Sequence, residues 1–422
     1  MAPAEPSAAL PAHDVIIIGA GIIGLATAHR LQQAGRTVTL LDPNGIANRA
    51  SAGNAAAFAF SDILPLASRG LLWKVPRWLM DPLGPLAIRP AYIPRLLPWF
   101  WRFVQAGRPE AMARSIAAQA ALMRLAEAEM GSLVAACGLA GMVRRDGSLE
   151  LYESEAEVVA GGPGWRHRAA AGIDFEHLRG ARLAELQPGL APRFIAGTFV
   201  PGWQTVAEPQ LFARTIAAHV LAQGGQIIEA EARGIMPTPR GVALRLADGR
   251  ILEARKAVLA AGAWSKPLAA QLGDKVPLDT ERGYNTTLPP GAFDLKRQLI
   301  FGGHGFVITP LSTGIRVGGA VELAGLDQPP NFARSKAMLR KAEMFLPGLL
   351  TEGGQEWMGH RPSMPDSLPV IGHASRTPHV VYAFGHGHLG LTQAAGTGRL
   401  VADLLGDYAS GFDLAPFSPQ RF

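Results

Sequence analysis

The sequence predicts an α/β protein of two domains, and three observations carry the prediction. A strand, a glycine-rich turn, a helix and a second strand follow one another in DVIIIGAGIIGLATAHRLQQAGRTVTLLD, residues 14–42. Segments of the same nucleotide-binding character return far downstream, in GGQIIEAEARGIMPT (224–238), AVLAAGAWS (257–265) and HVVYAFGHGHLGLTQAAGTGRLVADLL (379–405). Sequence of another character lies between them, and 422 residues with 48% hydrophobic content suffice for two cores. The expected layout is a nucleotide-binding domain in three pieces, 13–68, 206–276 and 355–409, interleaved with a second domain in two, 69–205 and 277–354. Residues 1–12 are read as a flexible tail and 410–422 as a C-terminal one.

The opening unit can be justified residue by residue. Val15 to Ile18 is the β-branched run of a buried strand. Gly19, Gly21 and Gly24 then stand as G-x-G-x-x-G. The first permits a tight turn, the second lets the backbone approach a pyrophosphate, and the third lets helix and strand pack closely. Ile23, Ala26, Thr27 and Leu31 are the apolar positions of a helix that Gly35 ends, and its N-terminus meets the negative charge. Thr37 to Leu41 forms the second strand, and Asp42, eighteen residues after Gly24, is placed to accept from a ribose hydroxyl. This is an adenine-dinucleotide site, and these residues alone leave NAD and FAD both open.

The next segment, ANRASAGNAAAF, supplies Ser51, Gly53 and Asn54 close to the course of a pyrophosphate. An NAD domain continues with further strand–helix repeats in one piece. Here residues 69–145 are helix-like and rich in Arg and Trp, and the nucleotide pattern resumes only much later. A dinucleotide domain assembled from scattered pieces around an insertion points to FAD.

Composition narrows the function classes. The net charge of +6 comes from 33 Arg and 7 Lys against 34 acids, spread singly among apolar residues. That distribution speaks against nucleic acid and for anionic small molecules or an acidic membrane surface. Cys137 is the single cysteine, so no internal disulfide can form and a reducing, cytoplasmic setting fits. The first twelve residues lack the basic start and apolar core of a signal peptide, and no run approaches a membrane span. YIPRLLPWFWRFV, residues 92–104, is read as a helix packed on its own protein, with a bilayer-surface contact as the competing reading.

At this point the chain resembles the D-amino-acid oxidase superfamily of FAD-dependent oxidoreductases, and within it the bacterial D-amino-acid dehydrogenases. The resemblance runs from about residue 14 to 405. It is carried in order by IIIGAGIIGLATAHRL, SAGNA, DGSLELY, the LAELQP segment, AVLAAGAWS, ERGY, IRVGGAVELAG, GHRP, LPVIG and GHGHLGLT. It implies a glutathione-reductase-like FAD-binding Rossmann domain, a substrate domain on a mixed, largely antiparallel sheet, and flavin reduction by an amino acid. Gly19, Gly21, Gly24 and Asp42 match the pyrophosphate loop and ribose acid, and Ser51, Gly53 and Asn54 the segment passing the flavin. Ala232 matches a backbone contact on the adenine side, and Ala260 and Gly262 the small residues beside the cofactor. Gly385, His386, Gly387, Leu389, Gly390, Leu391 and Thr392 match the loop and helix start at the flavin ring. The cysteine that some relatives use for a covalent flavin bond has no counterpart near the C-terminus, so the FAD is expected to be non-covalent.

The same resemblance gives Arg361, in Gly359-His360-Arg361-Pro362, as the partner of a substrate α-carboxylate. The chemistry agrees, because a guanidinium fork fixes a carboxylate in orientation as well as charge. The competing reading is a structural ion pair with Asp366 or another acid. Tyr284 is expected over the carboxylate or the flavin face, and His304 near the substrate. His388 stands where relatives often carry a small hydroxyl residue, so it is a candidate for setting specificity. A metal held by His386 and His388 is rejected for want of a third ligand. The expected reaction moves a hydride from the α-carbon of a D-amino acid to flavin N5, giving an imino acid and then a 2-oxo acid. Electrons pass to a quinone or another acceptor, with residues 70–105 as the membrane-facing surface. The alternatives are an oxidase or dehydrogenase of a cyclic or secondary amine (D-proline, hydroxy-D-proline, sarcosine or glycine), and a non-catalytic FAD-binding scaffold.

Overall fold

A computed structural model describes residues 12–67, 84, 86–406 and 411–422. The N-terminal tail and the start of the 70–105 segment thus lie largely outside the described residues. In chain order the strands are β1 (His13–Ile18), β2 (Val38–Leu41), β3 (Ala57–Phe58), β4 (Leu86–Ile88), β5 (Val143–Arg144), β6 (Ser148–Tyr152) and β7 (Glu176–Arg179). They continue with β8 (Ala196–Val200), β9 (Gln204–Val206), β10 (Gln226–Ile228), β11 (Ala232–Thr238), β12 (Gly241–Leu246), β13 (Ile251–Leu259) and β14 (Asp279–Leu288). The last are β15 (Gln298–Phe301), β16 (Phe306–Leu311), β17 (Gly314–Leu323), β18 (Gln355–Ser363), β19 (Val370–Ala374) and β20 (Thr377–Phe384).

One sheet takes strands from three distant stretches, in the order β10-β2-β1-β13-β12-β11, with β20 added on β13 and β19 on β20. Its centre is parallel: β1 pairs with β2 and β13, and β13 with β20. Parallel strands are covered on both faces, which is why the VIII run of β1 and the AVL run of β13 are wholly apolar. The helices Ile22–Gln33 and Pro209–Ala222 share one core with this sheet, and Gly390–Leu405 joins them there.

The second sheet runs β18-β14-β17-β16-β15-β6-β8-β7, largely antiparallel, with β4 on β17. Its far face packs under Ala333–Phe345 through Phe301, Phe306, Ile308 and Phe345. Its near face turns toward the first sheet. A small sheet, β3-β9-β5, lies beside them. β18, which carries Arg361, is a strand of the second sheet, so the expected boundary at 355 lies several residues too early. The C-terminal stretch is not loose: Phe417 is fully buried and Arg421 holds Asp366 at 2.7 Å.

The helix Ile93–Ala106 buries Leu96, Trp99 and Phe103 against its own protein. Its other side exposes Ile93, Leu97, Trp101 and Val104. The packed-helix reading of residues 92–104 thus holds for one face, and the opposite face is an exposed apolar stripe. No helix among the described residues is long and apolar enough to cross a membrane.

Candidate active site

A cavity of about 1230 Å³ runs between the two sheets. It exceeds the range of about 300–1,000 Å³ common for drug-sized ligands. At one end it is bordered by the glycine loop. Gly19 has φ +115°, and a Cβ there would lie 2.4 Å from the Ala260 carbonyl oxygen. A Cβ on Gly24 would lie 2.0 Å from the Gly19 carbonyl oxygen, so helix and strand meet at a distance only glycine allows. The helix N-terminus at Ile22 carries no acid in its first turn. Ile22 N–H donates to Ser51 Oγ at 3.0 Å, which ties the following loop to the helix end. Asp42 is fixed by two backbone donors, Ala20 N–H and Asn44 N–H, each at 2.9 Å. Its carboxylate borders the cavity together with Ala232, Ala260 and Gly262.

The loop 51–57 passes between the sheets and is held from the second one. Asn285 donates to Gly53 O at 2.7 Å and Arg316 to Asn54 O at 2.7 Å. Gln298 and Thr309 both donate to Ala55 O at 3.1 Å. Strand pairing explains why these residues share a face. Thr309 lies opposite Arg316, and Gln298 opposite Ser148, in one row across the sheet. One step along each strand pair, the side chains return to the same face as Glu150, Ile300, Val307, Gly318, Asn285 and Trp357. All six border the cavity. The Trp357 ring lies on Gly53 and Gly359, where a Cβ would meet it at 2.2 and 2.0 Å.

Arg361 lies on this floor. Its guanidinium covers Gly283, where a Cβ would lie 2.4 Å from Nη2. It donates to the carbonyls of Ala320 at 3.0 Å and Gly319 at 3.4 Å. Burial works against its charge, and the Glu281 carboxylate offsets this only in part, without contact. Asp366 is taken by Arg421, so the structural pair with Asp366 does not form. Arg361 is a half-buried cation facing the cavity, with no carboxylate in contact among the described residues.

The loop after β20 closes the site. Gly387 N–H donates to Pro362 O at 2.8 Å, joining the GHRP strand to the GHGHLG loop. Gly387 and His388 border the cavity, as do Leu389, Gly390 and Leu391. Gly385 lies outside that border, at φ +86° beside Met364. His386 also borders the cavity, its ring is hydrogen-bonded to Thr397 at 2.9 Å, and burial pushes its pKa down to about 3, so it is neutral. His388, at the exposed rim, pairs with Asp62 at 3.1 Å. The two rings therefore do not converge on an ion. Among the described residues, the group whose ligand atoms come within 4.8 Å of one another is His29, Cys137 and His219, none of which borders the cavity.

Three expectations differ from the structure. Tyr284 borders the cavity between Gly283 and Asn285, but strand alternation turns its ring into the opposite core. There its hydroxyl donates to Glu322 and accepts from Asn331 N–H at 3.0 Å. His304 sits in a turn outside the cavity border, against Glu153 at 3.3 Å and the Phe345 ring. Thr392 acts one layer below the lining: it accepts from Ala59 N–H at 3.0 Å and donates to Ala57 O at 3.2 Å. Conversely, Glu150, Gln298, Thr309, Arg316 and Trp357 are site residues that motif reading passed over. The alternation in SLELY was the one available signal, since it puts Ser148 and Glu150 on the face opposite two leucines.

These features fit FAD. They comprise a glycine cradle a Cβ would fill, a pinned ribose acid, and helix N-termini free of acids at Ile22 and Gly390. The lining is long enough for a dinucleotide and small-residue along its course. Whole-chain comparisons agree. Residues 14–404 match the family described as FAD dependent oxidoreductase, DAO. The chain is 36% identical over 415 residues to a D-amino-acid oxidase of Bradyrhizobium diazoefficiens, covering 97% of this chain and 98% of that one. It is 31% identical over 424 residues to a D-amino acid dehydrogenase of Xanthobacter autotrophicus, covering 97% and 99%. Its fold matches glycine oxidase from Geobacillus kaustophilus with a TM-score of 0.75 at 22% identity, over 97% and 99% of the two chains.

Proposed function

The chain belongs to the DAO family of FAD-dependent oxidoreductases, and from that premise we propose that it deaminates D-amino acids oxidatively. The single observation that carries the substrate class is Arg361, a cation on the cavity border that touches no carboxylate among the described residues. It takes the α-carboxylate through a charge-assisted contact that fixes orientation. Bound FAD supplies the two-electron acceptor. Gly283 lets the Arg361 guanidinium lie low on the floor, and Gly359 does the same for the Trp357 ring. The substrate amine must be neutral when the α-C–H bond breaks, since an ammonium nitrogen has no lone pair to release. The product is an imino acid, and water then releases ammonia and a 2-oxo acid. His386, held neutral by burial, adds no charge beside the reacting amine.

The D-configuration rests on the two curated relatives, whose names specify D-amino acids. A dehydrogenase role with a membrane quinone as acceptor draws support from the apolar stripe Ile93, Leu97, Trp101 and Val104, flanked by Arg95 on a chain of net charge +6. The test is turnover with a redox dye in place of oxygen, assaying ammonia and 2-oxo acid from a panel of D-, L- and cyclic amino acids. Product from D-amino acids is expected. Dye reduction only with D-proline, hydroxy-D-proline, sarcosine or glycine, without ammonia from the cyclic amines, would move the assignment to the amine-oxidising alternative.

A further inference from the structure

We infer that Glu150 is a specificity residue for the side chain of the substrate, and that it selects a D-amino acid ending in a cation, of the lysine, ornithine or arginine class. The inference rests on the D-amino-acid reading above.

Glu150 occupies the middle of β6, and its carboxylate borders the cavity, close to Gly302. It ends the row that continues through Ile300 and Val307 to Gly318. Three strand spacings of about 4.8 Å separate Glu150 from Gly318, or about 14 Å between their Cα atoms. The Arg361 guanidinium sits at the Gly318 end, on the carbonyl of Gly319. A glutamate side chain reaches back about 4 Å, given bonds of about 1.5 Å. About 10 Å is left between acid and guanidinium. An alanine held at Arg361 ends well short of Glu150, whereas a side chain of four to five atoms reaches it. Along that path the floor is formed by Val307 and Ile300. An apolar run followed by a lone acid complements an aliphatic stem that ends in a charge.

The charges around Glu150 favour the same occupant. Asp62 and Arg168 both act on it, while Tyr152 is its polar neighbour. Arg168 is committed elsewhere: it donates to Ser61 O at 3.0 Å, approaches Asp62 at 3.5 Å, and stacks on the Trp165 ring at 4.6 Å. Two carboxylates thus face one guanidinium, with His388 at the rim beside Asp62. Burial pushes the Glu150 carboxyl up, as expected of an acid without a contacting cation. A substrate ammonium or guanidinium supplies that cation.

The experiment compares D-lysine with D-norleucine, which has the same stem without the charge, by anaerobic reduction of the FAD-loaded enzyme. D-lysine is expected to half-saturate at about 10- to 100-fold lower concentration, the range of one charged hydrogen bond. Glu150→Gln should abolish that preference, raising the half-saturating concentration of D-lysine to that of D-norleucine. Retained flavin absorbance and melting temperature establish that the variant is folded. Equal use of the two substrates by the wild type, or a Glu150→Gln variant that keeps the D-lysine preference, overturns the inference while the D-amino-acid reading stands. Failure of every D-amino acid to reduce the flavin overturns both.

Discussion

Replacing Arg361 by methionine separates its proposed role from a structural one. Truncating one partner of a buried charge pair costs about 2–5 kcal/mol. At about 1.4 kcal/mol per tenfold, the substrate concentration for half-maximal reduction rises about 30- to 4000-fold. The effect on folding has opposing parts. The carbonyls of Gly319 and Ala320 each lose a donor, at about 1 kcal/mol apiece. Against this, a half-buried cation that touches no carboxylate among the described residues is removed, which relieves desolvation. Melting temperature should therefore stay within about 3 °C of the wild type, since about 2–4 °C per kcal/mol holds for chains of about 150–250 residues and the shift is smaller in a chain of 422. The assay is anaerobic stopped-flow reduction over a range of D-substrate concentrations, with flavin content and melting measured on the same preparation. A variant that reduces with wild-type half-saturation would refute the clamp. One that cannot be folded with FAD would show that Arg361 is instead structural.

Three further outcomes follow from the geometry. Gly24→Ala drives a methyl group into the Gly19 carbonyl and should destabilise the FAD domain by about 1–3 kcal/mol, read as lower melting temperature and substoichiometric flavin; full flavin at unchanged melting would contradict the close approach. His29, His360 and His386 have native pKa values lowered by burial to about 4, 4 and 3, so between pH 6.5 and about 4 the unfolded chain binds more protons and stability falls as pH drops. At pH 5 each histidine accounts for about 2 kcal/mol of that loss. His386→Gln should therefore give a shallower decline of melting temperature from pH 7 to 5, and parallel curves would refute the burial argument. Leu97→Glu with Trp101→Glu should abolish sedimentation with anionic vesicles while leaving flavin reduction intact; unchanged sedimentation would remove the membrane contact.

The nucleotide half of the site was legible because its chemistry is local. Gly19, Gly21, Gly24 and Asp42 act through backbone geometry within one strand–helix–strand unit, and spacing alone records that. Arg361 was anticipated through the resemblance of its GHRP segment rather than through spacing, and the structure puts it on the cavity border. The substrate floor was not legible from spacing. Glu150, Gln298, Asn285, Arg316 and Trp357 come from five strands that meet only through long-range pairing. Tyr284 went wrong by one residue of strand parity, which transfers a side chain to the opposite face. His304 went wrong because Gly305, in a left-handed conformation at φ +67°, closes a turn that takes the ring out of the cavity.

The most direct measurement is an anaerobic titration of the FAD-loaded protein with the two enantiomers of one amino acid, following the flavin band and identifying the product. The account predicts complete bleaching by one equivalent of the D-enantiomer, one 2-oxo acid and one ammonia per flavin, and no bleaching by the L-enantiomer. Bleaching by the L-enantiomer alone, or by neither, would contradict it.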